Sequence, residues 1–342
     1  MSWTKNILTL VFSLLFIFII SEFLFRIFDI GYGNAPLERS KLYHHEHPKE
    51  YSFTIHQPKG EYGGHKIFYD KYGYRTSNHH VGNFKERDDE NSIIFLGDSY
   101  TEANQVSYEN TFVNKIGRIL KVNTLNLGVS SYSPAIYLVQ TKRQLHLLKS
   151  KLVIMQIFRN DFDNDVKYLT KAIFKDDELF GIDGGNKNIY VSILRKSYLV
   201  RFLRKSQLLI VELFKKRNFS NKNLNFTYID DIKNENLIQT TKIILEIKKE
   251  LNKSDKKLLV FMMPSKTLSK VRKCCESDTV YNKFKTQMKN RNINFLDISK
   301  YFSNHSNQED LFFDVDIHLT EKGHEILANG LINEMNKFIS IE

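Results

Sequence analysis

The sequence contains few of the residues that build cross-linked or repetitive proteins. Its 342 residues include two cysteines, five prolines and fifteen glycines. The cysteines, Cys274 and Cys275, are adjacent, and neighbouring cysteines rarely reach disulfide geometry without strain. These scarcities exclude a disulfide framework, a metal site built on spaced cysteines, and collagen-like or low-complexity architectures. The 42% of apolar residues is enough for a sizeable core.

Positive charge is in excess, but no motif organises it. The formal net charge is +11, and the lysines are scattered among Asn, Ile and Asp. No zinc finger, RNP box or basic heptad region is present, so we interpret the charge as a solvated surface and expect no nucleic-acid partner.

A long apolar run stands near the start of the chain. Residues 7–20 are apolar apart from Thr9 and Ser13, and a helix over 6–30 is long enough to cross a hydrocarbon core of ~30 Å. No small-x-small cleavage site follows. We therefore predict an uncleaved membrane anchor (a signal anchor) over 1–30, rather than a removed signal peptide or a buried core helix.

The charges that flank the run are nearly balanced. Lys5 precedes it, whereas Arg26, Arg39 and Lys41 follow it. Because a first span commonly acts as an export signal, we expect the protein to be membrane-anchored, with a cytoplasmic amino terminus and the large remaining domain outside.

Residues 31–90 form a polar lead-in segment. The stretch 66–75 has the pattern of a short hairpin. The lead-in also contains several histidines that suggest a metal site; they are His44, His45, His47, His79 and His80. No acidic or cysteine partner follows at ligand spacing, so we interpret them as loop histidines.

Short apolar runs alternate with helical periodicity over 91–342. The runs are 92–96, 124–127, 151–157, 257–263 and 293–296. This alternation predicts an α/β domain with a parallel sheet and helices on both faces. Residues 162–234 have no clear period, and we interpret them as a partly helical insertion that shapes the substrate pocket.

Three polar or small residues follow the first three predicted strands. They are Ser99, Gly128 and Asn160, and the carboxyl ends of parallel strands place functional groups along one edge. A serine hydroxyl on a sharp turn becomes a nucleophile when a base is adjacent. The backbone N–H groups of Ser99 and Gly128 and the Asn160 amide are suitable oxyanion donors. The alternative is that Ser99 only caps the following helix.

A candidate base stands before the last predicted helix. His318 follows Asp314 and Asp316, and a carboxylate beside a histidine fixes its tautomer and stabilises the imidazolium. The alternative is a structural loop histidine. His324, inside the last helix, is interpreted as a packing or capping residue.

The order of these blocks resembles the SGNH (GDSL-like) hydrolases, of the membrane-anchored bacterial type. The blocks are Gly97-Asp98-Ser99, Gly128, Asn160-Asp161 and Asp316-x-His318, and the resemblance covers about 92–161 and 257–339. It implies a three-layer α/β/α flavodoxin-like fold. It also implies Ser99 as nucleophile, Gly128 and Asn160 as oxyanion donors together with Ser99, and His318 with Asp316 as the rest of the triad.

Two positions depart from the usual family pattern. Phe158 stands where the third block usually has glycine, and Val315 stands where the triad acid is usual, three residues before the histidine. The remaining candidates for the acid are Asp316 and Asp314. We prefer Asp316, because the Asp-x-His form resembles that of membrane-anchored bacterial relatives.

The resemblance implies a serine esterase with an acyl-Ser99 intermediate. We expect it to remove acyl groups, such as acetyl, from a cell-envelope glycan or lipid. An O-acyltransferase with the same triad, modifying an envelope polysaccharide, and a non-catalytic envelope protein that retains the fold are the alternatives. No metal or organic cofactor is implied, and the oligomeric state stays open.

Overall fold

The structure is a computed structural model of the chain. It describes residues 2–30, 33, 36–56, 59–78, 87–218, 232–266, 279–305, 308–314 and 316–339. The chain forms two compact units. The amino-terminal unit comprises Met1–Pro36, Phe53–Lys66 and Asn188–Asn225, and the α/β unit comprises Leu37–Ser52, Ile67–Lys187 and Phe226–Glu342.

The helices and strands alternate along most of the chain. In order, the helices are α1 Ser2–Ile27, α2 Ser99–Glu102, α3 Phe112–Leu120, α4 Pro134–Arg143, α5 Asp161–Leu169, α6 Ile189–Lys196, α7 Tyr198–Asn218, α8 Asn234–Lys253, α9 Thr279–Asn290, α10 Ser299–Ser303 and α11 Glu321–Met335. The strands are β1 Glu38–Ser40, β2 His44–Glu46, β3 Ser52–Ile55, β4 His65–Tyr69, β5 Arg75–Thr76, β6 Ile93–Leu96, β7 Thr124–Asn126, β8 Leu152–Ile157, β9 Ala172–Lys175, β10 Glu178–Ile182, β11 Lys257–Met262 and β12 Asn294–Phe295.

A five-stranded parallel sheet is the centre of the α/β unit. Its strand order is β12-β11-β8-β6-β7, and every neighbouring pair is parallel. Both faces are covered, because the side chains of β6 alternate between two hydrophobic clusters. Ile94 and Leu96 pack in the cluster that includes residues of α4 and α8, whereas Ile93 and Phe95 pack in the one that includes α3 and α11. The predicted three-layer α/β fold with a parallel sheet is confirmed.

The units do not follow the boundaries predicted at residues 30 and 90. Tyr43 and Tyr74, from the predicted lead-in, are buried in a core cluster of the α/β unit, because their rings cover apolar surface that the sheet and its helices leave open. The predicted insertion is also divided. Helix α5 and the antiparallel pair β9–β10 belong to the α/β unit, and α6 and α7 belong to the amino-terminal unit.

Helix α1 is the longest helix that the structure describes. Its stretch Trp3–Ile27 is long and apolar enough to cross a membrane, and its apolar side chains are exposed. By length and composition it is therefore a candidate membrane anchor or signal sequence.

Candidate active site

Ser99 follows the carboxyl end of β6, which lies between β8 and β7 in the parallel sheet. The chain leaves β6 after Leu96 and turns through Gly97 and Asp98 into α2, which begins at Ser99. Asp98 caps this helix, since its carboxylate accepts the N–H of Tyr100 at 2.9 Å. The capping role considered for Ser99 thus belongs to its neighbour, and the Ser99 hydroxyl, which is partly exposed, is available for other contacts.

The Ser99 hydroxyl donates to His318, although 219 residues separate the two. The distance from Oγ to Nε2 is 2.7 Å. On the other side of the ring, Nδ1–H donates to Oδ1 of Asp316 at 2.5 Å, and the same oxygen accepts the backbone N–H of His318 at 2.8 Å. The side chains of His318 and Asp316 are 14% and 21% exposed. This arrangement has the serine, base and acid order that activates a hydroxyl nucleophile.

Backbone pairing on either side of Asp316 fixes the segment that carries the acid and the base. Phe312 pairs with Leu319, and the N–H of Phe313 donates to the carbonyl of His318 at 3.1 Å.

Lys266 fastens this loop to the end of β11. Its ammonium donates to the carbonyl oxygens of Asp314 at 2.6 Å and of Asp316 at 2.9 Å. Asp314 therefore meets Lys266 through its backbone, whereas Asp316 meets His318 through its carboxylate. The geometry favours Asp316 over Asp314 as the triad acid.

The three predicted oxyanion donors lie after neighbouring strands, and they differ in their partners. The N–H of Ser99 occupies the first position of α2, where a helix provides no internal acceptor. Asn160 precedes α5 directly, and its side chain makes no capping hydrogen bond to that helix. The N–H of Gly128, in contrast, donates to Oδ1 of Asn126 at 3.0 Å. Gly128 therefore needs a change of partner before it can donate to an oxyanion.

Close packing explains the glycine at position 128. A Cβ there would lie 2.6 Å from the backbone nitrogen of Glu102 and 2.8 Å from Cβ of Thr101, both in α2. Only a residue without a side chain lets β7 leave the sheet this close to the helix that carries Ser99.

Two further residues contact His318 and were not predicted from the sequence. The Tyr100 ring lies 4.8 Å from the imidazole, between centroids, and its hydroxyl donates to the carbonyl of Ile317 at 2.8 Å. The Gln105 amide lies 3.0 Å from Nδ1 of His318. Since Nδ1–H is itself a donor, chemistry favours the amide orientation in which Oε1 faces it. Tyr100 could have been predicted as a residue of the site, because it directly follows Ser99. No pattern in the sequence indicates that Gln105 contacts His318.

A cluster of buried polar residues, which includes Arg75, Glu102, Tyr69 and His47, holds α2 in place. Arg75 donates to the carbonyl oxygens of Glu102 at 2.6 Å and of Val106 at 2.5 Å, and also to that of Ala103. These bonds satisfy the carbonyl of the last residue of α2, which a helix end leaves without an internal partner, and two carbonyls of the segment that follows it. The guanidinium thereby fixes the helix that presents Ser99.

Glu102 is the centre of this cluster. It accepts the Tyr69 hydroxyl at 2.8 Å and the Ser130 N–H at 2.7 Å, and it pairs with His47 at 2.7 Å. Burial alone would raise the pKa of Glu102, but the His47 pair and these hydrogen bonds lower it to about 2. His47 therefore has a structural partner. His45 contacts the carbonyl of Ser130 at 2.8 Å, and His79 and His80 lie outside the described residues.

Two buried carboxyl groups adjoin the strand ends. Burial raises the pKa of Asp98 to about 6. Burial and the neighbouring Asp98 raise the pKa of Asp161 well above its ordinary value. Two nearby carboxylates repel each other when both are ionised, and this repulsion acts on Asp161 in addition to its burial.

The comparisons with known proteins concern the family of the chain and not the geometry of this site. Residues 224–339 match the family model of the SGNH hydrolase-like domain, acetyltransferase AlgX. The match includes Asp316 and His318, and the resemblance to the SGNH hydrolases is confirmed. Such a domain indicates esterase or acyltransferase chemistry. A search of the curated proteins returned no match.

Several solved structures are similar to the chain. A lipase from a goat rumen metagenome is 13% identical with a TM-score of 0.45, covering 74% of this chain and 100% of its own. A catalytic mutant of an acetylxylan esterase from Geobacillus stearothermophilus is 12% identical with a TM-score of 0.42, covering 72% and 94%. A member of the lipolytic G-D-S-L family from Veillonella parvula is 11% identical with a TM-score of 0.41, covering 72% and 99%.

Proposed function

We propose that this protein, which carries an SGNH hydrolase-like domain, is a serine esterase that works through an acyl-Ser99 intermediate. The observation that supports it best is the continuous chain from the Ser99 hydroxyl to Nε2 of His318 at 2.7 Å, and from Nδ1–H to Asp316 at 2.5 Å. A helix cap or a structural loop histidine does not need this alignment of three groups.

The geometry suggests the following cycle. His318 takes the proton of Ser99 as Oγ attacks the ester carbonyl, and Asp316 stabilises the imidazolium that forms. The N–H of Ser99 and the Asn160 amide donate to the oxyanion. As the tetrahedral intermediate collapses, the C–O bond to the alcohol breaks and His318 returns the proton to that alcohol. Water then attacks the acyl-enzyme with the same base, and Ser99 regains its proton.

We assign the substrate to the acylated glycans or lipids of a cell envelope, with acetyl as the expected acyl group. The description of the matching family as an acetyltransferase supports the acetyl group. The exposed apolar surface of α1 supports a membrane location. We place the amino terminus in the cytoplasm and the catalytic domain outside as part of the proposal, because a first span commonly acts as an export signal.

Acetyl transfer is the second candidate, and the family description favours it directly. A transferase would form the same acyl-Ser99 intermediate, and a sugar hydroxyl would replace water as the attacking group. Incubation with an acetyl donor, with and without an oligosaccharide acceptor, separates the two. An acetylated sugar in the product supports transfer, and free acetate unaffected by the acceptor supports hydrolysis.

The test of catalysis is labelling of Ser99. The full chain in detergent is treated with a fluorophosphonate probe, the adduct is mapped by mass spectrometry, and hydrolysis of p-nitrophenyl acetate is measured. We expect the adduct on Ser99, and a loss of kcat of about 10⁴-fold or more in Ser99→Ala. Ser303→Ala, which replaces a partly exposed serine on α10, is the matched control. A fully active Ser99→Ala variant, or no labelling and no turnover in the unaltered chain, would favour the non-catalytic alternative.

A further inference from the structure

Helix α6 exposes a large apolar surface within the amino-terminal unit. None of its eight residues is buried. Five of them are large apolar residues with exposed side chains; they are Ile189, Tyr190, Val191, Ile193 and Leu194. The exposed fractions of Tyr190 and Ile193 are 79% and 61%. Such a surface marks a site of contact with a membrane or another apolar partner.

The apolar side chains occupy one side of α6. At about 100° per residue, the five span an arc of roughly 200°. Ser192, Arg195 and Lys196 occupy the remaining arc. An amphipathic helix with aromatic and aliphatic residues on one side and basic residues on the other is typical of segments that lie in a membrane interface.

The start of α7, directly after α6, is bonded to α1. The carboxylate of Glu22 accepts the Ser197 hydroxyl at 2.7 Å and the backbone N–H groups of Tyr198 at 3.2 Å and of Leu199 at 2.9 Å. A carboxylate at this position satisfies amide groups that the first turn of a helix leaves open, and it is favoured by the helix dipole. The polar residue in the apolar run thus has a definite role, which is to cap α7.

Arg26 adds a second bond between α1 and the end of α6. It pairs with Glu22 at 2.7 Å and donates to the carbonyl of Lys196 at 3.3 Å. Its guanidinium also lies 5.0 Å from the centroid of the Tyr198 ring. The junction between α6 and α7 is therefore held at the level of residues 22–26 of α1.

That level coincides with a membrane surface if α1 spans a bilayer. From Ile7, where the apolar run begins, to Arg26, a helix rises about 28 Å at ~1.5 Å per residue. This length is close to the hydrocarbon thickness of ~30 Å, so Arg26 falls at the boundary between acyl chains and headgroups, and Glu22 lies one turn before it. The inference rests on the proposed membrane anchoring.

We propose that α6 is an interfacial helix that lies in the leaflet from which α1 emerges. The partner is a phospholipid surface, preferably anionic. Two observations select lipid as the occupant: the end of α6 is bonded to α1, the candidate membrane span, through Arg26 and the carbonyl of Lys196, and the polar side of α6 carries the basic residues Arg195 and Lys196, whose charge suits phosphate headgroups. The helix then holds the amino-terminal unit flat on the membrane beside its anchor.

The single tryptophan of the chain makes this testable by fluorescence. The full chain is reconstituted into vesicles of phosphatidylethanolamine and phosphatidylglycerol, with and without brominated acyl chains as quenchers. In a Trp3→Phe background, Ile193→Trp places the reporter on the apolar side of α6, and Ser192→Trp places it on the polar side as the matched control. We expect brominated lipid to quench Ile193→Trp about twofold or more, and Ser192→Trp much less, because an interfacial helix buries its apolar side by ~5–10 Å.

The unaltered chain reports on the anchor independently, through Trp3. Quenching of Trp3 without quenching of Ile193→Trp would overturn the proposal while leaving the anchor intact. Equal quenching of both α6 variants would also overturn it, because the helix would have no lipid-facing side. A blue-shifted emission from Ile193→Trp that brominated lipid does not quench would assign the apolar side to a second protein copy instead. If Trp3 itself is not quenched, the anchoring fails and the inference fails with it, whereas the serine labelling test is unaffected.

Discussion

Replacement of Asp316 by asparagine tests the acid of the proposed triad. The substitution keeps the size of the side chain and removes its charge. Oδ1 of Asp316 accepts two N–H groups of His318, from the ring and from the backbone. An asparagine can still accept the backbone N–H, so the loop should keep its shape. The change therefore acts mainly on the charge and tautomer of the imidazole.

The expected magnitude follows from the distance between the charges. Carboxylate and imidazolium centres about 4 Å apart, at an effective dielectric constant of about 20, attract by about 4 kcal/mol. The imidazolium exists only after His318 has taken the Ser99 proton, so most of this energy is lost from the transition state. At ~1.4 kcal/mol per tenfold, kcat should fall by about 10³-fold. The 14% and 21% exposure of the two side chains allows some compensation by water, which makes a larger loss unexpected.

Asp314→Asn is the matched control in the same loop. Asp314 meets Lys266 through its backbone carbonyl, which the substitution leaves in place. We expect kcat to change by less than about threefold, as is usual for a change outside the catalytic groups. Both variants are compared by initial rates on p-nitrophenyl acetate and by the rate of fluorophosphonate labelling. The assignment is refuted if Asp314→Asn shows the large loss, or if Asp316→Asn keeps the activity of the unaltered chain.

Three further substitutions test the donors and the core. Asn160→Ala should lower kcat by about 10²–10³-fold with little change in KM or thermal stability, because the side chain makes no capping bond; Asn164→Ala on the same helix is the control. Gly128→Ala should lower activity and reduce the unfolding free energy by about 1–3 kcal/mol, because the added Cβ would clash with α2. The control is Gly60→Ala, whose added Cβ has one neighbour at 4.0 Å and should change neither activity nor stability. Burial lowers the pKa of His324 to about 3, below its unfolded value of ~6.5, so its contribution to stability is present above pH 6.5 and is lost as the pH falls towards 3. In His324→Gln, the unfolding free energy should therefore decline less between pH 6.5 and pH 4.5, by about 1.4 kcal/mol per pH unit, whereas between pH 7.5 and pH 6.5 the variant and the unaltered chain should change alike.

The sheet could be predicted because each of its strands is a short apolar run bounded by turn residues. Residues 151–157, for example, become β8, which lies in the middle of the sheet with both faces covered. In such a strand the sequence pattern and the burial agree. The hairpin β9–β10 and helix α6 were not predicted, because their exposed residues follow no core-facing period.

The residues of the candidate site could likewise be predicted only in part. Ser99 and His318 could be selected because each follows a recognisable local pattern, a strand end and an acid beside a histidine. The partner of the Gly128 N–H and the contact of Gln105 with His318 could not, since they depend on side-chain positions that only the folded chain defines. Hydrogen bonds across a folded core have no period or spacing in the sequence from which they can be read.

The two departures from the usual family pattern meet at His318. Phe158, in place of glycine, packs 4.7 Å from the ring of Tyr100, which in turn packs 4.8 Å from the imidazole. Asp316 stands two residues before His318. This spacing lets one carboxylate oxygen of Asp316 accept both the backbone N–H and the ring N–H of His318. The rings of Phe158 and Tyr100 limit movement of the imidazole on its face. The bond to Asp316 limits its movement at the Nδ1 edge. A bulky residue at 158 and an acid at 316 therefore act on the same degree of freedom, which is the orientation of the base towards Ser99.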